Sequence, residues 1–276
     1  MSKLRYLISH HQFKKYPFRT ILRLVLWETY YKLFNVTALV PYYEDLRIEL
    51  QPMKHRGISG LIYIFRKLEE QSSFMTDYIK EGMTVLDIGA NIGYYSIIYS
   101  KLVGEKGRIY SFEPTKSTYD KLLKNIQINK CKNIIPLNYA LSNVNEKRKF
   151  YHAEAHDRNA FAPEIENAEH EEVECKVLDE FIRDNNLHVD FLKIDVEGSE
   201  LLVFKGASRF LDYYNGPIYC EFNTPKINNL GYTLKDLVSF IKEKGFNIYT
   251  YDGGEKKLND IKYPDQYNGD AILVKE

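Results

Sequence analysis

The residues best equipped for chemistry in this chain are carboxylates clustered at Asp195-Val-Glu197-Gly198-Ser199-Glu200, with Glu221-Phe-Asn223 further on. Asp195 and Glu197 stand two apart, so they would share a face if a strand ran through both. Gly198 predicts a turn just beyond them. Ser199 suits the cap of a following helix, and Glu200 suits its first turn, where negative charge is favourable. Glu221 should lie near Asp195 if the two close adjacent strands. Carboxylates that close repel unless one is protonated, hydrogen-bonded or bound to a cation. Two chemistries are open to such a set. Asp195 or Glu197 can bind a hydroxyl and take its proton, with Glu221 beside them. Alternatively, Asp195, Glu221 and Asn223 can gather Mg²⁺ through oxygen ligands, which would lower the hydroxyl's pKa. The spacing is no specific metal signature, so the direct route is preferred and no metal ligand is assigned.

A second constellation precedes this one. Thr84-Val-Leu-Asp87-Ile-Gly89-Ala-Asn91-Ile-Gly93-Tyr-Tyr-Ser96 reads as an apolar strand, a glycine turn and the start of a helix. This is the layout of a nucleotide-binding first turn in a doubly wound fold. Its spacing is Gly-x-x-x-Gly rather than Gly-x-Gly-x-x-Gly, which disfavours an NAD-dependent oxidoreductase, and no Gly-Lys-Ser/Thr follows to grip phosphate. A turn with an acid and no phosphate cradle suits a cofactor with a ribose, an adenine and an amino acid but no pyrophosphate. S-adenosylmethionine fits that description. Asp87 is expected to accept hydrogen bonds from the turn or, through water, from the ligand's ammonium. The next strand closes in Phe112-Glu113-Pro114, about 20 residues on, the separation expected of an acid that receives ribose hydroxyls. The third closes in Tyr139-Ala-Leu-Ser142-Asn143, where Ser142 would flank an adenine. Asp87, Gly89, Asn91, Gly93, Glu113 and Ser142 are therefore the expected cofactor residues. Displacement of a methyl from sulfonium needs an acceptor oxygen held in line and relieved of its proton.

Elements to position these groups follow from the alternation of strand and helix signals after residue 60. The strands are Thr84–Ile88, Arg108–Phe112, Ile134–Leu141, Val189–Val196 and Pro217–Phe222. The intervening helices lie near 94–102, 116–129, 178–185, 199–211 and 233–244. Lys147–His152 and Val173–Val177 add two strands around an acidic insertion, and Phe246–Tyr251 with Ala271–Val274 close the sheet as an antiparallel pair. The expected fold is α/β: a Rossmann-like, doubly wound sheet, mostly parallel, with helices on both faces. His152, His156 and Asp157 precede the acids Glu164 to Glu174, where a substrate loop could supply a histidine base; the acids themselves read as a solvated face.

The first 59 residues form an N-terminal extension, with the main domain spanning 60–276. Lys3, Arg5, Lys14, Lys15, Arg19, Arg23 and Lys32 face only Glu28 in the first 34 residues. Leu22, Val25, Leu26, Thr29, Tyr30 and Leu33 recur at helical spacing after Pro17. One reading docks this helix on the domain or on a second subunit as a homodimer. The other lays it on an anionic membrane surface as a peripheral contact. The longest apolar run, Ile21 to Trp27, is interrupted by Arg23 and is too short to span a bilayer. No cleavable signal is apparent. Formal net charge is zero over 276 residues, so no overall field points to nucleic acid. Cys131, Cys175 and Cys220 are odd in number and unpatterned, which argues against disulfides and zinc and for a reducing, cytoplasmic setting.

Taken in order, Leu86-Asp-Ile-Gly-Ala-Asn-Ile-Gly-Tyr-Tyr-Ser96, Phe112-Glu-Pro114, Ala140-Leu-Ser-Asn143, Leu178-Asp-Glu180, Lys193-Ile-Asp-Val-Glu-Gly-Ser-Glu200 and Glu221 resemble the FkbM family of S-adenosylmethionine-dependent methyltransferases. The resemblance covers roughly 60–274, and the Asp-Val-Glu-Gly-Ser-Glu element is its most specific part. It implies a class I methyltransferase fold and O-methylation of a sugar in a glycan or glycolipid, or of a secondary metabolite. A second proline often follows Glu-Pro in that family; Thr115-Lys116 stands here, at the helix start. A non-catalytic relative acting as a binding protein is the rival reading, disfavoured by the acids retained at the strand ends.

Overall fold

The computed structural model describes residues 11–31, 33–34, 36–51, 56–65, 73–151, 160–161 and 169–275. The chain forms two compact units, residues 1–70 with 155–157 and residues 71–154 with 158–276.

In the first unit, α1 (His11–Lys15) leads to α2 (Pro17–Leu26), whose first turn begins at the proline because the missing N–H costs nothing there. A π-helical turn, Trp27–Tyr31, extends it. Strands β1 (Ala38–Tyr43) and β2 (Leu46–Leu50) form an antiparallel hairpin, and α3 (Arg56–Phe65) follows. Trp27 stacks on Tyr63 at 5.0 Å. Gly60 makes room for it, since a Cβ there would stand 3.1 Å from the indole nitrogen. Arg23 donates to the Ile64 carbonyl at 3.3 Å. These contacts join α3 to the N-terminal helix, and both belong to the first compact unit.

The second unit runs α4 (Ser73–Tyr78), β3 (Thr84–Ile88), α5 (Tyr94–Val103), β4 (Arg108–Phe112), α6 (Lys116–Ile128), β5 (Ile134–Leu137), β6 (Ala140–Ser142), β7 (Glu146–Tyr151), β8 (His170–Val177), α7 (Leu178–Asp184), β9 (Phe191–Ile194), α8 (Glu200–Gly206), α9 (Ser208–Tyr213), β10 (Ile218–Phe222), α10 (Thr224–Asn229), α11 (Leu234–Glu243), β11 (Phe246–Asp252), β12 (Lys257–Asp260) and β13 (Gly269–Lys275). Eight strands form one sheet in the order β12-β11-β13-β10-β9-β3-β4-β5. The pairs from β10 through β5 are parallel, and β13 is antiparallel to both β10 and β11. The expected doubly wound sheet is therefore present. The order in which successive strands are laid down reverses between β3 and β9, the crevice where such sheets hold ligands.

The two faces of the sheet differ. Leu86, Ile88, Phe112, Leu192, Ile194, Ile218 and Phe222 point into a large apolar core with Leu178, Leu201, Phe204, Phe210, Leu237 and Ile241 of the helices. Across the other face runs a register row of Ser111, Asp87, Lys193 and Tyr219. Helix α5 covers that row, with Ser96 reaching Asp87 and Ser111.

Three expected elements are redrawn. The strand Ile134–Leu141 breaks at Asn138, whose side-chain amide donates to the carbonyls of Glu113 and Pro114, each at 2.9 Å. Only β5 stays in the main sheet; β6 joins a separate three-stranded sheet with β8 and β7. The acidic insertion is partly strand: in β8, Glu172 and Glu174 face Lys149 and Lys147 of β7, an opposite-charge ladder. The helix 199–211 divides into α8 and α9 because the Asp179 carboxylate accepts from the N–H groups of Arg209 and Phe210, at 2.9 and 2.8 Å. Helix α11 starts as expected at Thr233, in a reciprocal cap with Asp236.

Candidate active site

Gly89, at the end of β3, makes the closest approach across the switch point. Its φ is +80°, and a Cβ there would lie 1.8 Å from the Asp195 carbonyl oxygen at the end of β9. Only glycine permits both the backbone angle and the contact. Gly89→Ala is accordingly expected to push the two strand ends apart, lowering cofactor affinity at least tenfold and destabilising the domain by about 2 kcal/mol or more. Calorimetric titration and a denaturant melt read the two effects.

The turn after Gly89 is anchored at several points. Asn91 adopts a left-handed φ of 52°. Its backbone N–H donates to Glu113 Oε2 at 3.1 Å, while its side chain accepts from the Ile92 N–H at 2.8 Å. Asn125 of α6 donates to the Ile92 carbonyl at 2.9 Å. Gly93, also at positive φ, caps α5.

Glu113 is buried and closes this turn from the β4 side. Its Oε1 accepts from the Thr115 N–H at 3.0 Å and the Thr115 hydroxyl at 2.6 Å. With the Asn91 bond, three of roughly four acceptor positions on the carboxylate are used. A diol therefore finds one open position, on Oε2. Burial pushes the Glu113 carboxyl up to about 7, against the opposing pull of its Thr115 and Asn91 bonds.

Asp87 does not serve the turn. It is fully buried under α5, with Oδ2 accepting from the Ser96 hydroxyl at 2.5 Å and Oδ1 standing 3.3 Å from Lys193 Nζ. Lys193 also lies 3.4 Å from Asp195 Oδ2, donates to the Gly89 carbonyl at 3.2 Å and sits 5.5 Å from the centre of the Tyr95 ring. One buried ammonium thus links the turn after β3 to the acid after β9. Sequence reasoning missed it, although a lysine between Leu192 and Ile194 was a visible signal, since buried charges are rare unless paired.

The Asp195–Ser199 loop is fixed from several sides. β9 ends at Ile194, so Asp195 and Glu197 share no strand face; Glu197 takes a φ of 56°. Glu200 is buried rather than solvated, and its Oε1 accepts from the N–H groups of Val196 and Gly198 at 3.2 and 3.1 Å. Burial first, then Asp195, raises its carboxyl to about 7. Tyr232 donates its hydroxyl to the Gly198 carbonyl. Glu197 is ion-paired with Lys226 of α10, whose backbone packs where a Gly198 Cβ would be. No local feature of the sequence marked Lys226 or Tyr232.

Asp195 has a side chain 31% exposed, so it remains open to a ligand. Glu221 follows the Cys220–Ile194 pair and so closes β10 beside it, opposite Asp270 of β13. Its Oε2 is buried without a hydrogen-bond partner among the described residues. Burial, then the charges of Asp195, Glu197 and Asp270, hold the Glu221 carboxyl well above the usual range. Asn223 sits at the start of α10, where its carbonyl accepts from Lys226 and Ile227. Among the described residues, no group of three His, Cys, Asp or Glu side chains could hold a metal ion.

Ser142 is displaced from its expected position. It belongs to β6 in the smaller sheet, under Gly206 of α8, with its hydroxyl 3.3 Å from Asn143 Oδ1. The break at Asn138 explains this, and Asn138 itself is the residue that follows β5. His152, His156 and Asp157 lie outside the described residues. The cysteines are free, with Cys175 and Cys220 buried.

The model of the methyltransferase FkbM domain matches residues 87–248. Methyltransferase sdnD of Sordaria araneosa is 27% identical over 195 residues, covering 58% of this chain and 74% of that protein. The hexuronic acid methyltransferase AglP of Haloferax volcanii is 28% identical over 163 residues, covering 58% of this chain and 62% of that protein. Among solved structures, methyltransferase FkbM from Methylobacillus flagellatus KT aligns with a TM-score of 0.44 at 16% identity, covering 70% of this chain and 44% of that one. The chain thus spans less than two-thirds of the last two proteins.

Proposed function

The chain belongs to the methyltransferase FkbM domain family, and from that premise we propose that it transfers a methyl group from S-adenosylmethionine to a hydroxyl, with a saccharide as acceptor. The observation that carries the proposal is the contact between Gly89 and the Asp195 carbonyl, which brings a nucleotide-type turn and an open carboxylate to one crevice. The donor set suits the cofactor. Glu113 offers an acceptor position to a ribose, glycines at 89 and 93 keep side chains off the turn, and the sequence carries no Gly-Lys-Ser/Thr phosphate grip after it. When bound, the cofactor supplies an electrophilic methyl on a positively charged sulfur.

The protein's own groups then have distinct tasks. Asp195, the exposed acid, accepts the proton of the acceptor hydroxyl. Glu221, shifted toward its protonated form by burial and its acidic neighbours, donates a hydrogen bond to an acceptor oxygen when protonated. Glu197, tied to Lys226, fixes the loop that carries Asp195. Carboxylates at this crevice disfavour an anionic acceptor group and favour a neutral hydroxyl. The likeness to a protein named as a hexuronic acid methyltransferase supports a sugar.

Transfer of isotope-labelled methyl to a panel of sugars, amines and uronic acids tests this reading. The expected product is a base-stable ether on a sugar hydroxyl; label found only in base-labile esters or on nitrogen would overturn it. Asp195→Asn should lower kcat by about 10²- to 10⁴-fold, the range for loss of a general base, with cofactor affinity within about threefold of wild type. An unchanged kcat would remove Asp195 from that role.

A further inference from the structure

Helix α2 turns its larger apolar face outward. Trp27, Thr20 and Arg23 face the interior of the first unit, through the Trp27–Tyr63 stack and the Arg23–Ile64 bond. Phe18, Ile21, Leu22, Val25 and Leu26 occupy the opposite arc and are exposed, Phe18 at 87% and Leu22 at 59%. The sequence grouped Leu22, Val25 and Leu26 on one face, and the structure adds Phe18 and Ile21 to it. A contiguous exposed apolar face on a helix marks a binding surface.

Charge identifies the occupant. Lys14, Lys15 and Arg19 are exposed around this face. The first 34 residues carry seven Lys and Arg against one acid, Glu28. A two-fold contact between copies would bring one basic patch against another, because the same patch meets itself. An anionic lipid surface satisfies both features: apolar side chains enter the acyl boundary, and lysine and arginine meet the headgroups. No described helix is long and apolar enough to cross a membrane, so the contact is in the plane of the interface.

We propose that the outward face of α2 binds the surface of membranes rich in anionic lipid. The proposal stands independently of methyl transfer. The full chain is tested by flotation with phosphatidylcholine vesicles, with and without phosphatidylserine. Binding is expected with phosphatidylserine and should fall as salt is raised. Lys15→Ala with Arg19→Ala should weaken it by about 30-fold. Val25→Glu should abolish binding while leaving the unfolding transition and S-adenosylmethionine affinity at wild-type values. Equal recovery with and without phosphatidylserine, or unchanged binding by Val25→Glu, would overturn the proposal. So would a concentration-dependent dimer, seen by light scattering and lost in Val25→Glu, in the absence of vesicle binding.

Discussion

Lys193→Met is expected to destabilise the domain by about 3–5 kcal/mol, the cost of leaving a buried charge without its partner. The Lys193 and Asp87 side chains are 2% and 0% exposed. Methionine matches the length of the lysine and packs well, so the loss would report charge rather than volume. Asp87 would keep only the Ser96 hydroxyl, and Asp195 would lose the ammonium that holds it toward Gly89. Adding Asp87→Asn to Lys193→Met removes the stranded charge and should recover at least half of the lost stability. Chemical denaturation of the single and double variants measures the coupling. If Lys193→Met unfolds at wild-type denaturant concentration, the ion triad does not hold the strand ends together. If the double variant is no better than the single, the loss comes from packing alone.

Glu113→Gln should weaken S-adenosylmethionine binding about 100-fold, the worth of one to two hydrogen bonds to a charged acceptor. An amide cannot accept from Thr115 and Asn91 on one side and from a diol on the other with both of its atoms. The pH dependence is the more diagnostic result. Burial raises the folded carboxyl to about 7 from 4.5, so the folded protein holds this proton more tightly than the unfolded chain. The contribution of this group to stability is therefore full below pH 4.5 and is lost as pH rises through 7, in parallel with Glu200. A ribose donates to the ionised form. Cofactor affinity should then rise with pH up to about 7, level off above it, and be accompanied by release of one proton. Glu113→Gln should show weak affinity with no such rise.

Much of the architecture was legible because parallel strands buried on both faces read as apolar runs, and because glycines at Gly89 and Gly93 mark a turn that few other residues tolerate. Thr233 likewise announced its helix locally. The break at Asn138 was not legible, since it depends on carbonyls of Glu113 and Pro114 that only the fold brings near. That one bond pair moved Ser142 out of the main sheet. The splitting of the helix at Ala207 has the same character, being set by Asp179 from a distant helix. In the site, residue types pointed to Asp195, Glu197 and Glu221, but their states depend on contacts and burial that residue types alone do not show. Lys226 engages Glu197, Lys193 engages Asp195, and burial with neighbouring acids shifts Glu221 toward its protonated form. Glu200 stands in the first turn of its helix as its sequence position implied, and it also pins the loop backbone. Charge state is a property of packing, and an acid cluster in sequence does not reveal which member stays ionised.

The most direct measurement is calorimetric titration of the full chain with S-adenosylmethionine at pH 8, beside the Glu113→Gln variant. Saturable one-to-one binding by the native chain, weakened about 100-fold in the variant, is the predicted result. No heat of binding by the native chain at millimolar ligand, or equal affinity in the two proteins, would contradict the assignment of this crevice to the methyl donor.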